Sequence, residues 1–175
     1  MELEEKKEWK LEPQGKYYVS RNGSSIIAFS IPEGEFKGFH MAAAHSDSPC
    51  LKVKDAPEIE VEKAYAKLNV ETYGGLVYSS WFDRPLSVAG RIVTKKGVKL
   101  VNVDYDSMII PNMAIHLNRE INKGYAYNPQ VDLLPLTAGK QGEKGLLSYL
   151  AKKNDIEKED ILGHDLFVYA RQKPA

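Results

Sequence analysis

The chain has 175 residues, with 24 lysines and arginines balanced by 24 aspartates and glutamates, so no basic excess argues for nucleic acid and no acidic bias argues for disorder. Its one cysteine excludes an internal disulfide framework and fits a reducing compartment. No apolar run approaches the roughly 20 residues of a membrane helix, and the charged opening M-E-L-E-E-K-K-E-W-K is unlike a secretory signal. The expectation is a cytoplasmic chain of one ordinary domain, or one plus part of another, with no nucleic-acid or membrane partner.

Taken in order, Glu2 to Lys10 is a charged segment with Leu3 and Trp9 as its only apolar anchors, readable as the tail of a helix or as a solvated terminus. Gly15 then opens K-Y-Y-V-S-R, and Asn22-Gly23 separates it from S-S-I-I-A-F-S-I. Asn-Gly between two β-prone runs is a strong hairpin signal, because both residues tolerate positive φ. Phe39 to Ala44 has the length and small apolar residues of a strand buried on both faces, which makes three strands before His45. His45 would then stand at the carboxyl end of a strand, where open α/β sheets bind ligands.

His45-Ser46-Asp47 leaves two readings open. A neutral imidazole ligates zinc well, and a nearby carboxylate can take the other ring N–H and fix tautomer and orientation. The plainer alternative is a histidine ending a strand and an aspartate starting a turn. Cys50 has no second cysteine and no further support as a nucleophile, so it reads as a small buried hydrophobe.

After Pro49 the texture changes. Leu51 to Lys54, Ile59 to Glu62 and Tyr65 to Val70 alternate, as half-exposed antiparallel strands do. The neighbourhood of Pro57 is the expected boundary between a first domain, residues 1–57, and a β-rich second domain, residues 58–175. Gly74-Gly75 forms a joint, and Trp81-Phe82-Asp83-Arg84-Pro85 is balanced between a protein interface and a structural turn holding a local ion pair. Leu86 to Thr94, the turn at Lys95-Lys96-Gly97 and Val98 to Asp104 make a second hairpin.

Pro111 opens N-M-A-I-H-L-N-R, which suits the first turn of a short helix. His116, a lone histidine among apolar neighbours, reads on its residue type as a packing residue. Leu133 to Thr137 is a β run ending at Gly139, and residues 140–144 are a polar loop. Leu146, Leu147, Leu150 and Ala151 fall at helical spacing, which predicts one helix over about 145–153. His164-Asp165 precedes a last strand, Leu166 to Ala170, and is read as leading into it rather than as a ligand pair. No internal repeat or glycine-rich phosphate loop is present.

Five segments in order, G-K-Y-Y-V-S-R-N-G-S-S-I-I-A-F, A-H-S-D-S-P-C-L-K-V-K, W-F-D-R-P-L-S-V-A-G-R, P-N-M-A-I-H-L-N-R and E-D-I-L-G-H-D-L-F-V-Y, resemble the aspartyl aminopeptidase family of dinuclear zinc metallopeptidases, from Gly15 to Pro174. The resemblance implies a mixed, β-rich α/β fold: the first strands of a catalytic α/β sheet, followed by a β-rich inserted domain that drives dimerisation, with dimers building dodecamers. It implies His45 as a zinc ligand and Asp47 as the acid that orients it. It implies His116 as a histidine offered to the partner subunit's active site. The implied reaction releases an N-terminal residue, typically Asp or Glu, from a peptide substrate.

The resemblance also carries a departure. The family's bridging aspartate, its Glu-Glu pair with the general base and its other ligands have no counterpart here, and its opening helix is absent or cut short. Glu4-Glu5 precedes His45 rather than following it, and Asp83, Asp104 and Asp106 do not match ligand positions. The expectation is therefore one part of a zinc aminopeptidase, inactive by itself. The alternative is a free-standing oligomerisation or regulatory module derived from such an enzyme.

Overall fold

The computed structural model describes residues 1–139 and 145–173; the polar loop expected over 140–144 lies outside the described residues. The chain divides into two compact units, Met1–Ser46 and Asp47–Ala175. Strands dominate both, in keeping with the mixed, β-rich α/β class.

In the first unit, β1 (Lys16–Arg21) and β2 (Ser25–Ser30) pair antiparallel, with Arg21 opposite Ser25. Asn22 and Gly23 carry φ values of 55° and 63°, and the Ser24 N–H donates to the Arg21 carbonyl at 3.1 Å. Two successive left-handed residues match the right-handed twist of a hairpin, as the Asn-Gly pair predicts.

The opening segment is not a helix. Glu2 bridges Tyr18 in parallel, and the Leu3 N–H donates to the Tyr18 carbonyl at 2.8 Å. Leu3 is buried, and Glu2 accepts hydrogen bonds from Tyr18 and Ser20. Two apolar anchors cannot offset the cost of nucleating a short helix, whereas the flank of β1 supplies backbone partners immediately.

The expected third strand is absent as well. Residues 39–44 form no strand, and Phe39 and Met41 are 78 % and 88 % exposed. An apolar strand of this kind forms where neighbours pair both its edges and cover both its faces, and no described residue pairs with it.

The second unit is a six-stranded antiparallel sheet, with every pairing antiparallel. Its strands are β3 (Cys50–Val61), β4 (Tyr65–Tyr73), β5 (Leu86–Thr94), β6 (Gly97–Asn102), β7 (Leu136–Gly139) and β8 (Ile161–Ala170), in the order β6-β5-β8-β3-β4-β7. Pro57 lies inside β3, where the register with β4 shifts between Val53 and Glu58. A proline has no N–H to give the ladder, so it sits at the irregularity and does not divide the chain. The two compact units are divided at Ser46/Asp47.

One face of this sheet carries the core. Leu51, Val53, Leu68, Val70, Val88, Ile92, Leu166 and Val168 are all essentially buried. Along their strands they stand two residues apart, or four apart across Gly90 in β5, spacings that send side chains to one face. Over them pack Leu133, Ile110 and the helix Leu146–Lys153, whose Leu150 and Ala151 are buried. A shorter helix, Pro129–Asp132, begins at Asn128, whose side chain accepts the Gln130 N–H at 3.0 Å.

The Trp81 to Pro85 segment is a structural turn. Phe82 is buried against Tyr127, with ring centroids 4.8 Å apart. Asp83, at φ 56°, donates its N–H to the Ile110 carbonyl and accepts the Asn112 N–H, both at 2.9 Å. This side-chain-to-backbone bond ties two loops together.

His164 lies inside β8, opposite Ile92, rather than before the strand. Both of its ring nitrogens are buried without a hydrogen-bond partner among the described residues. Consecutive strand residues face opposite sides, so Asp165 turns away from His164 and pairs with Arg91 at 2.7 Å and Lys52 at 3.4 Å. The two cannot act as one ligand pair.

The Arg91 hydrogen bond, helped by Lys52 and opposed by partial burial, holds the Asp165 carboxyl below its usual range. A depressed folded-state pKa gives stability that is present above the unfolded value near 4 and lost as pH falls through the folded one. Because the pair is one-third exposed, its contribution is about 1 kcal/mol or less. Urea unfolding at pH 6 and pH 3 should therefore show a slightly smaller acid loss for Asp165→Asn than for the parent; identical losses would mean that the pair contributes nothing.

Candidate functional site

His45 is exposed, at the end of the first unit, and Asp47 is exposed at the start of the second. Within the second unit, Asp47 is met by a residue distant in sequence. β4 returns antiparallel to β3 so that its last residue, Tyr73, stands opposite Cys50, and the Tyr73 hydroxyl donates to Asp47 Oδ2 at 2.7 Å. Gly74 follows at φ 74°, and a side chain there would touch Pro49 at 3.5 Å. The strand end and the start of β3 are thus folded tightly against one another.

This bond, the negative charge of Asp47, partial burial and nearby Cys50 together raise the Tyr73 phenol above its ordinary value. The phenol therefore stays protonated, and stays a donor, throughout the neutral range. Burial, and then Asp47, likewise raise the Cys50 thiol. A thiol held protonated is a poor nucleophile, which agrees with the reading of Cys50 as a packing residue.

His116 lies in an irregular segment between Pro111 and Glu120. The helix expected there is reduced to a single turn, in which the Ala114 carbonyl accepts from the Leu117 N–H at 2.8 Å and the Asn118 N–H at 3.2 Å. So short a stretch with exposed Met113, Ile115 and Leu117 has no packed face to extend it. His116 itself is exposed on this loop.

Among the described residues, no three His, Cys, Asp or Glu side chains gather into a group able to hold a metal ion. Zinc in a catalytic site takes three protein ligands and keeps one position open. His45, Asp47 and His116 do not supply such a set, so these residues alone do not fit the metal. Sequence reasoning missed Tyr73; its only trace was the place of V-E-T-Y-G-G at the end of an alternating strand whose return brings it beside Asp47.

Comparison with protein families places the chain in a class of zinc metalloproteases. The model of the family described as Aminopeptidase I zinc metalloprotease (M18) matches residues 1–175, and the chain belongs to that family. It is 45 % identical over 185 aligned positions to Probable M18 family aminopeptidase 2 of Clostridium novyi, covering 98 % of this chain and 42 % of that protein. The chain thus spans about two-fifths of that relative's length. Among solved structures, it superposes on a chain of the Ape4 and Nbr1 complex with a TM-score of 0.84 at 33 % identity, covering 98 % of this chain and 38 % of the other. It superposes on Chaetomium thermophilum mApe1 with a TM-score of 0.81 at 29 % identity, covering 98 % and 44 %.

Proposed function

We propose that this chain is one part of a zinc-dependent aminopeptidase that releases N-terminal residues, Asp or Glu by preference, from peptides in the cytoplasm. The observation that carries this reading is the family match over residues 1–175. Within it, His45 is one ligand of a two-zinc site and Asp47 the acid that orients its ring; the remaining ligands and the general base come from outside this set of residues. The isolated chain is accordingly inactive.

The sheet unit serves assembly. An S. cerevisiae mApe1 dodecamer shares the fold with a TM-score of 0.68 at 23 % identity, and a homo-oligomer built through dimers is proposed here too. In that assembly His116 reaches the partner subunit's active site, which suits its exposure on a loop rather than in the core.

The test is a graft in which this chain replaces the segment it matches in the clostridial relative. Hydrolysis of aspartyl or glutamyl substrates is expected; a folded, zinc-loaded graft without aminopeptidase activity would overturn the reading. In the same graft, His116→Ala should lower kcat/KM by about 100-fold, the scale of removing one positioned polar group from a transition state, with zinc content unchanged. Loss of zinc would show that His116 is a ligand instead.

A further inference from the structure

We propose that Asp83 is a positioning residue for His116: with its neighbour Phe82 it grips both roots of the loop that carries the histidine, and its carboxylate starts the series of hydrogen bonds that fixes the turn in which His116 stands. The proposal rests on the reading of His116 given above, and it adds the residue that holds the imidazole in place.

The loop needs such a hold. Between Ile110 and Tyr127 the chain forms no strand and no α-helix, only a single 3-10 turn at Ile121–Lys123. Met113, Ile115 and Leu117 are exposed along it, so burial does not fix its shape, and a stretch with few buried apolar contacts belongs to the low-stability end of a structure unless its hydrogen bonds and its roots order it. Both roots meet at one place. On the way out, Ile110 is fully buried and its carbonyl accepts the Asp83 N–H at 2.9 Å. On the return, the Tyr127 ring lies against the buried Phe82 ring, with 4.8 Å between centroids.

From that anchor the order passes along the backbone. Asp83 Oδ1 accepts the Asn112 N–H at 2.9 Å, and Asn112 Oδ1 in turn accepts the Met113 N–H at 2.8 Å. The next carbonyl, of Ala114, accepts the Leu117 N–H at 2.8 Å and the Asn118 N–H at 3.2 Å, which closes the turn around His116. Asp83 itself stands at φ 56°, a left-handed conformation that aspartate and asparagine tolerate better than other residues with a side chain. Backbone of this kind persists where its surroundings over-determine it, and it concentrates at functional sites. Here it lets one residue hold Ile110 through its N–H and Asn112 through its carboxylate.

The test uses two substitutions that both suit this backbone. Asp83→Gly keeps the left-handed conformation and removes the acceptor; Asp83→Asn keeps both. By 15N relaxation on the full chain, the amides of residues 112–118 in the parent should have order parameters near the ~0.85 of rigid backbone, should fall below ~0.6 in Asp83→Gly, and should stay near the parent value in Asp83→Asn, with the sheet amides unchanged throughout. Mobile 112–118 amides in the parent, which needs no variant to fold, would overturn the proposal, and so would order retained in Asp83→Gly. In the graft, Asp83→Gly should lower kcat/KM by about 10-fold at unchanged zinc content, a part of the loss that follows when a reacting group is misplaced, and Asp83→Asn should restore it. Added to His116→Ala, Asp83→Gly should cost nothing further, because it acts through that imidazole; a full second loss would give Asp83 a merely structural role and overturn the proposal. The reading beneath it fails separately: if His116→Ala leaves kcat/KM unchanged, His116 takes no part in the reaction, even where relaxation shows that Asp83 fixes the loop.

Discussion

His45→Ala, introduced into the graft described above, is expected to abolish measurable aminopeptidase activity and to release bound zinc. Loss of a residue that merely supports a ligand costs roughly 10–100-fold in metal affinity or activity, so loss of the ligand itself should cost at least about 100-fold. Asp47→Asn should cost roughly 10–100-fold, the range for a supporting residue, because the amide can still accept a hydrogen bond but carries no charge to raise the basicity of the imidazole. Zinc content by atomic absorption, measured beside kcat/KM, separates the roles. Activity lost with zinc retained in His45→Ala would assign His45 to substrate rather than metal.

The largest effect on folding is expected at Gly90. It sits in the middle of β5, opposite Leu166 of β8. A Cβ there would lie 2.1 Å from the Asp165 carbonyl oxygen and 3.0 Å from Leu166 Cα. Both are backbone atoms, so no rotamer change relieves the clash and the two strands must part across the hydrophobic core. Gly90→Ala should lose about 3 kcal/mol, the upper end of overpacking. With an m-value of about 2 kcal/mol/M, the urea midpoint falls by about 1.5 M. Gly163→Ala is the matched control, since nothing lies within 4 Å of its would-be side chain in the same β8 strand; it should change stability by about 0.5 kcal/mol or less. Equal midpoints for the two variants would contradict the close approach of β5 and β8.

Local chemistry made much of this fold legible. Asn22-Gly23 marked one hairpin and the turn before Val98 the other, because a tight reversal depends on its own backbone freedom. The alternation from Leu51 onward gave the half-exposed strands, and the spacing of Leu146, Leu147, Leu150 and Ala151 gave the helix. Non-local effects were illegible. Whether Phe39 to Ala44 becomes a strand depends on neighbours it must pair with, and that Pro57 sits at a register shift is visible only from its partner strand. The opening segment took its shape from β1, and Pro111 opened a turn instead of a helix in a stretch whose Met113, Ile115 and Leu117 are exposed.

The site divided in the same way. His45, Asp47 and His116 are candidates offered by short motifs and by the family resemblance, and their roles are proposals. Tyr73 could not be named from the sequence, because its link to Asp47 arises only when β4 folds back along β3. Alternation alone likewise cannot show that Asp165 and His164 belong to opposite faces until β8 is seen to run through both.

The most direct test is an assay of the purified 175-residue chain with an aspartyl or glutamyl chromogenic substrate in excess zinc. With no metal-holding group among the described residues, turnover should not exceed the blank, while the same chain grafted into the clostridial relative should be active. Zinc-dependent hydrolysis by the chain alone, abolished by a chelator, would contradict the account.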